Sequence, residues 1–336
     1  MTKGNRSPNR RELLAGAAAV TAAIASAPAR AEGETPAHDF SGKSVLITGA
    51  SSGFGRLAAL HFARQGASVV ASMRNFRKGK RAEAQELADI ASDEKLKLHL
   101  VEIDVLDPKL IKSGVDQAHA IAGGALDLLI NNAGIGYGGP VEFNDEDALT
   151  AQFGTNILGY HRMARAVLPA MRAKGEGHII SVSSQLGRII VPNIGVYSPT
   201  KFAVEAMFEG LAYELAPFGV DVTIIQPGGY PTKIWENGAR YFDQLFERAD
   251  DERKAAYAAH IEMSRGLMSG QYSTDPMDVP RAMADAFAMP PGKRPLRRPV
   301  HPSPQATVAA NAAMAQIEAS VLGGGAYKDW HAAVID

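Results

Sequence analysis

Short, nearly unbroken apolar runs alternate along this chain with segments whose apolar positions recur every three or four residues. The runs lie at Ser44 to Thr48, Val69 to Ser72, Leu96 to Ile103, Leu126 to Ile130, His178 to Val182 and Val220 to Ile225. Strands without polar alternation are covered on both faces, so these belong to a buried sheet. Helical periodicity fills the gaps, at about Phe54 to Gly66, Lys80 to Ala91, Pro108 to Ala122, Asp145 to Lys174 and Val196 to Pro217. Strand and helix in regular alternation give a parallel sheet with helices on either side. The expected structure is a single doubly wound α/β domain. A last strand is expected at Leu296 to Val300, with an alanine-rich helical segment over residues 301–336.

Composition narrows the function. The chain has 336 residues, 46% hydrophobic and 21% charged, with a formal charge of −1 and no cysteine. That apolar content fills a large core and excludes a disordered chain. Without cysteine there is no disulfide scaffold, thiol nucleophile or cysteine-based metal site, and no other metal site is expected. The balanced charge carries no footprint of nucleic-acid binding.

The first 31 residues stand apart. Asn9-Arg10-Arg11-Glu12-Leu13-Leu14 is a twin-arginine pattern, and a weakly apolar, alanine-rich stretch follows to Ala29. Ala29-Arg30-Ala31 then has the small-x-small form of a signal-peptidase site. A membrane-spanning helix needs about 20 strongly apolar residues, which this stretch lacks. Residues 1–31 resemble the signal peptides of the twin-arginine (Tat) route, with Asn9 where Ser or Thr is usual. The expectation is export, already folded, to the periplasm, or residence in the cytoplasm if the signal is unused. Residues 32–40 are then a linker and 41–300 the folded domain.

In a doubly wound sheet, ligands bind beyond the carboxyl ends of the strands. Thr48-Gly49-Ala50-Ser51-Ser52-Gly53-Phe54-Gly55 follows the first strand and opens a helix. Glycines there let the backbone approach a diphosphate, which rests on the amides of the helix start. After the second strand stands Met73-Arg74-Asn75, with no carboxylate to bond a ribose 2′-hydroxyl. An arginine fork suits a 2′-phosphate, so NADP(H) is favoured over NAD(H), with Arg77 and Lys78 adding to the positive field. Tyr197 and Lys201 lie four apart and share a helix face. A nearby ammonium lowers a phenol pKa from about 10, fitting Tyr197 for proton transfer in either direction. Ser184, at the end of the neighbouring strand, is placed to bind a developing oxyanion, whereas Ser183 should face the other way.

Several of these marks share one order along the chain. Thr-Gly-x-x-x-Gly-x-Gly stands first, then Asn131-Asn132-Ala133-Gly134, Asn156, Ser184, Tyr197-x-x-x-Lys201 and Pro227-Gly228-x-x-x-Thr232. Together they resemble the classical short-chain dehydrogenase/reductases, closely from about residue 41 to 232. The resemblance implies a Rossmann fold and catalytic Asn156, Ser184, Tyr197 and Lys201. By the same resemblance Lys201 also holds the nicotinamide ribose and Asn156 supports a proton-relaying water. The dinucleotide would be held by Thr48, Gly49, Ser51, Ser52, Gly53, Phe54, Gly55, Arg74, Asp104, Val105, Asn132, Ala133, Gly134, Tyr197, Lys201, Pro227, Gly228 and Thr232. Asp104 would contact the adenine, cap the next helix, or both.

Residues 233–274 depart from a minimal family member, and they are rich in apolar and aromatic side chains. They read as an extended helical lid over a bulky, apolar alcohol or carbonyl substrate, with Trp235, Phe242 and Phe246 as covering residues. An oligomer contact is the equal alternative, and the last strand and helix resemble family elements that build dimers or tetramers. The expected activity is NADP-dependent interconversion of a secondary alcohol and ketone, or of an aldehyde and primary alcohol. Two other classes are a sugar-nucleotide epimerase or dehydratase of the extended branch and a non-catalytic NADP-binding sensor. The glycine spacing argues against the first, and the complete Asn156, Ser184, Tyr197 and Lys201 set against the second.

Overall fold

The structure, a computed structural model, describes residues 38–76, 81–270 and 272–334. The twin-arginine segment, most of the expected linker, and Arg77 with Lys78 lie outside the described residues. Seven parallel strands form one sheet: β1 (Ser44–Thr48), β2 (Ser68–Met73), β3 (Leu98–Glu102), β4 (Leu128–Asn131), β5 (Gly177–Val182), β6 (Val220–Pro227) and β7 (Arg297–Val300). Their order is β3-β2-β1-β4-β5-β6-β7. Helices α1 (Gly53–Arg64), α2 (Ala82–Asp93) and α3 (Pro108–Ala122) make the first crossovers. They are followed by α4 (Glu146–Phe153), α5 (Gly159–Lys174) and α6 (Tyr197–Leu215). Beyond β6 come α7 (Lys233–Arg248), α8 (Asp251–Ala256), α9 (Ala258–Leu267) and α10 (Asp278–Ala288). Helices α11 (Gln305–Leu322) and α12 (Lys328–Ala333) follow β7. The expected doubly wound Rossmann fold is the observed one.

Alternation along β1 shows why its run is apolar throughout. Val45 and Ile47 join Val69, Ala58, Phe62, Met283 and Phe287 under α1 and α10. Leu46, between them in sequence, faces the other layer with Val115, Met163, Val167 and Phe208 under α3, α5 and α6. Successive side chains of a strand point to opposite faces, and here both faces are buried. Val45 pairs with Val69 on one side and Leu128 on the other, so β1 sits where the chain reverses its direction across the sheet. That reversal opens a crevice at the carboxyl ends of β1 and β4.

Two local features differ from the sequence reading. Asp107, not Asp104, caps α3, accepting from the Lys109 amide at 2.7 Å and the Leu110 amide at 3.4 Å. Pro108 stands at its first position, where no amide donor is required. Asp104 instead accepts from the Leu106 amide at 3.0 Å within the loop after β3. The single helix expected from Asp145 to Lys174 is divided by a π-helical turn at Gly154–Leu158. A Cβ on Gly159 would meet the Val105 side chain at 2.9 Å, so the helix seats tightly on that loop just past the turn. No helix among the described residues is long and apolar enough to cross a membrane.

Candidate active site

A cavity of about 570 Å³ opens at the carboxyl ends of the strands. Its walls include Gly49, Ser51, Ser52, Gly53, Phe54, Arg74, Asp104, Val105, Asn132, Ala133 and Gly134. Ser184, Tyr197, Lys201, Pro227, Gly228 and Thr232, also named from the sequence, line it too. Thr48, Gly55 and Asn156 stand behind that wall and hold its parts together. The Thr48 hydroxyl accepts from the Asn132 and Ala133 amides at 2.9 and 3.0 Å. The Asn132 side chain returns a bond to the Thr48 carbonyl at 2.9 Å. Gly49 has φ +70°, and a Cβ there would lie 2.8 Å from Ala133 Cα. A Cβ on Gly55 would fall 2.4 Å from both Asn132 Nδ2 and the Gly49 carbonyl. The glycine-rich turn is therefore packed directly against the Asn131-Asn132-Ala133-Gly134 segment.

The start of α1 is open to an anion. Its N-cap, Ser52, makes no side-chain capping bond, and no acidic residue occupies the first turn. Free amides at a helix start attract a phosphate. Arg74, at the end of β2, is exposed on the rim of the same cavity. Sequence reasoning missed Arg81, which also lines it and whose Nε is buried without a partner. Arg81 is the N-cap of α2, a position hidden when the helix is read as starting at Lys80.

The anchor for Lys201 is the carbonyl of Val182, at the end of β5. Lys201 Nζ donates to it at 2.8 Å, and the Tyr160 hydroxyl donates to it at 3.2 Å. The ammonium lies 5.5 Å from the ring centres of both Tyr160 and Tyr197, within cation–π range. Tyr160 was not singled out from the sequence; its signal is its place one helical turn after Asn156. Ser184 donates to the Pro227 carbonyl at 3.4 Å and accepts from the Leu186 amide at 3.1 Å, so its hydroxyl is fixed beside Tyr197. Ser183 borders the cavity too, but its buried hydroxyl is turned toward Gly187.

Burial dominates the electrostatics. It pushes the Tyr197 phenol up to about 12, with the Ser184 hydroxyl opposing the rise. The expected lowering by Lys201 does not arise, and burial also pushes that ammonium down to about 8 while Glu205 pulls it back up. Tyr197 is thus a phenol, a proton donor, across neutral pH. Asn156 sits in the π turn with its amide committed: it accepts from the Ile135 amide at 2.9 Å and donates to the Ile135 carbonyl at 2.9 Å. It also donates to Thr200 at 3.1 Å, whose hydroxyl donates to the Tyr197 carbonyl at 2.7 Å.

Over this floor lie α7 and α9. Ile234, Trp235, Tyr241, Leu267, Met268 and Tyr272 line the cavity, Tyr272 packing on Trp235 with ring centres 4.9 Å apart. Phe242 and Phe246, expected to cover the substrate, do not reach it. Phe242 is buried with Phe143 and Ile261, and Phe246 packs against that cluster. A Cβ on Gly139 would strike the Phe242 ring at 2.7 Å, so these phenylalanines fasten the lid to the body.

Residues 43–240 match the short chain dehydrogenase family. The chain belongs to that family. It is 37% identical over 237 residues to the uncharacterized oxidoreductase YusZ of Bacillus subtilis, covering 70% of this chain and 81% of that protein. It is also 37% identical over 193 residues to a 3-ketodihydrosphingosine reductase of Bacteroides thetaiotaomicron, covering 57% and 66%. Among solved structures, a short chain dehydrogenase/reductase of Burkholderia phymatum in complex with NAD superposes with a TM-score of 0.67 at 26% identity, covering 84% of this chain and 96% of that one. This short-chain dehydrogenase is thus an oxidoreductase whose relatives include a dinucleotide-bound structure.

Proposed function

We propose that this short-chain dehydrogenase interconverts an alcohol and a carbonyl compound using NADP(H), and that its substrate is bulky and apolar. One observation carries the reading: Ser184, Tyr197 and Lys201 border a single cavity between an open helix start and an aromatic lid. The cavity fits a dinucleotide, since close glycine packing leaves the uncapped amides of α1 facing it. Arg74 and Arg81 would hold a 2′-phosphate, Asp104 and Val105 the adenine side, and Lys201 the nicotinamide ribose. When bound, the dinucleotide supplies a hydride in reduction or takes one up in oxidation.

The chain's own residues do the rest. In reduction the Tyr197 phenol, protonated at neutral pH, gives its proton to the carbonyl oxygen as charge develops there. The Ser184 hydroxyl turns from Pro227 to the same oxygen and stabilises it. The Lys201 ammonium, held on Val182, stabilises the phenolate left on Tyr197. Ile234, Trp235, Tyr241 and Tyr272 exclude water and accept an apolar body. The relative named for reducing 3-ketodihydrosphingosine supports a keto substrate. The same proposal takes residues 1–31 as a twin-arginine export signal and the periplasm as the place of action.

The test combines NADPH or NADH with a panel of ketones and aldehydes while absorbance is followed. Tyr197→Phe should lose about a hundredfold to ten-thousandfold in turnover. Dinucleotide affinity should be unchanged, because the ring and its contact with Lys201 remain. Near-wild-type reduction by this variant would refute the proton-donor role.

A further inference from the structure

Outside the residues that line the cavity lies a buried polar network the reaction does not use directly. Its centre is a reciprocal amide pair. Asn311 Nδ2 donates to Gln226 Oε1 at 2.8 Å, and Gln226 Nε2 donates back to Asn311 Oδ1 at 3.3 Å. The same Asn311 oxygen accepts from Arg188 Nε at 3.1 Å. Gln226 Nε2 also donates to Glu205 at 3.0 Å. Glu205 faces Arg297 at 3.1 Å and Arg188 at 3.5 Å, and Arg297 continues to Glu209. Two guanidinium groups therefore meet the Glu205 and Glu209 carboxylates where little solvent reaches, Glu318 of α11 adds a hydrogen bond to Glu209, and Arg188 Nη2 is left without a hydrogen-bond partner.

Three members of this network, Arg188, Glu205 and Gln226, are one step from Ser184 or Lys201. Arg188 closes the short turn Gln185–Gly187 that follows Ser184. Glu205 lies one helical turn beyond Lys201 on α6. Gln226 directly precedes Pro227, whose carbonyl accepts from Ser184. Asn311 joins these parts from outside. It belongs to α11, beyond residues 43–240 that match the family, and α11 buries only Thr307 and Asn311 against the body. The helix is thus anchored through polar groups, Asn311 to Gln226 and Arg188 and Glu318 to Glu209, rather than an apolar stripe. Packing alone does not need an amide there; fixing Arg188 and Gln226 does.

We propose that Asn311 is a positioning residue for this enzyme. It locks Arg188 to Gln226, and so sets the Ser184 turn against the Pro227 end of β6. The inference rests on the alcohol–carbonyl reading for its kinetic consequence but not for its structural one.

The test is Asn311→Leu, which keeps the volume and removes both the donor and the acceptor. Turnover should fall about ten- to a hundredfold, as for a small misplacement of reacting groups, with KM for the carbonyl substrate little changed. Amide hydrogen exchange should quicken at residues 185–188 and 226–229 and stay unchanged in β1 and β2. The double variant Gln226→Asn with Asn311→Gln restores the pair at the same total length and should recover both readouts. Wild-type turnover with unchanged exchange in Asn311→Leu would overturn the proposal, and so would failure of the double variant to recover either readout. If Asn311→Leu does not fold, Asn311→Asp decides. It keeps the acceptor for Arg188 but not the donor to Gln226, so exchange should quicken at 226–229, and unchanged exchange there overturns the idea. If the wild-type chain reduces no carbonyl and oxidises no alcohol, the proposed function fails, and the exchange measurements, which need no substrate, still decide the role of Asn311.

Discussion

Replacing Lys201 by methionine should abolish turnover and yet stabilise the fold at neutral pH. The ammonium is 3% exposed, and burial brings its pKa from an ordinary 10.5 down to about 8. At 1.36 kcal/mol per pH unit, that fall corresponds to about 3 kcal/mol held against the charged form in the native state. Methionine fills similar space and carries no charge. Loss of the bond to Val182 offsets about 1 kcal/mol, and the carbonyl is not orphaned because the Tyr160 hydroxyl still donates to it. A net gain of about 2 kcal/mol is expected at pH 7. Here the folded pKa lies below the unfolded one, so the unfolded chain holds more protons between about 8 and 10.5. Wild-type stability therefore rises with pH across that window, and the advantage of Lys201→Met should shrink and then reverse slightly. Urea denaturation of both proteins at pH 7 and above 10.5 measures this directly. A variant less stable than wild type at pH 7, or an advantage independent of pH, would show that the buried ammonium carries no such cost.

Three further outcomes are expected. Arg74→Ala should weaken NADPH binding by about 1.5 to 3 kcal/mol, as for a bond to a charged group, and leave NADH binding nearly unchanged in fluorescence titrations. Phe242→Ala empties the cluster beneath the lid, at a cost of about 3 to 5 kcal/mol for a buried phenylalanine. It should raise KM for bulky substrates and speed proteolysis within residues 233–270, with dinucleotide affinity retained. Arg10→Lys with Arg11→Lys should leave folded, active protein in the cytoplasm, whereas wild-type protein recovered from the periplasm should retain NADP(H) acquired before export, detected by mass spectrometry after denaturation. Periplasmic protein without a dinucleotide would refute loaded export.

Much of this architecture is visible in the chain itself, and the exceptions have physical causes. The β1 run matches its strand residue for residue because a strand buried on both faces needs no polar alternation. Tyr197 and Lys201 are legible because helical spacing alone brings them together. Tyr160 is not, since a tyrosine on an amphipathic helix reads as core until α5 is seen to lie beside Lys201. The π turn at Gly154–Leu158 escapes notice because its setting is tertiary, with Gly159 seated against Val105. Phe242 and Trp235 look equivalent in sequence, and only packing separates the residue that fastens the lid from the one that lines the cavity. The upward shift of Tyr197 is hidden for a similar reason: a neighbouring ammonium can be read from spacing, but desolvation depends on everything that surrounds the ring.

The amide of Asn156 behaves as a single peptide unit lent to the sheet. It offers a donor and an acceptor to the two polar groups of Ile135, just as a neighbouring strand would, at a place where the sheet has already ended. The backbone at Ile135, beyond the last strand partner of β4, is thereby held in place. Aspartate lacks the donor, and leucine lacks both groups. The part of the cavity wall that Ile135 forms is therefore built before any ligand arrives, and binding need not bear the entropy of ordering it.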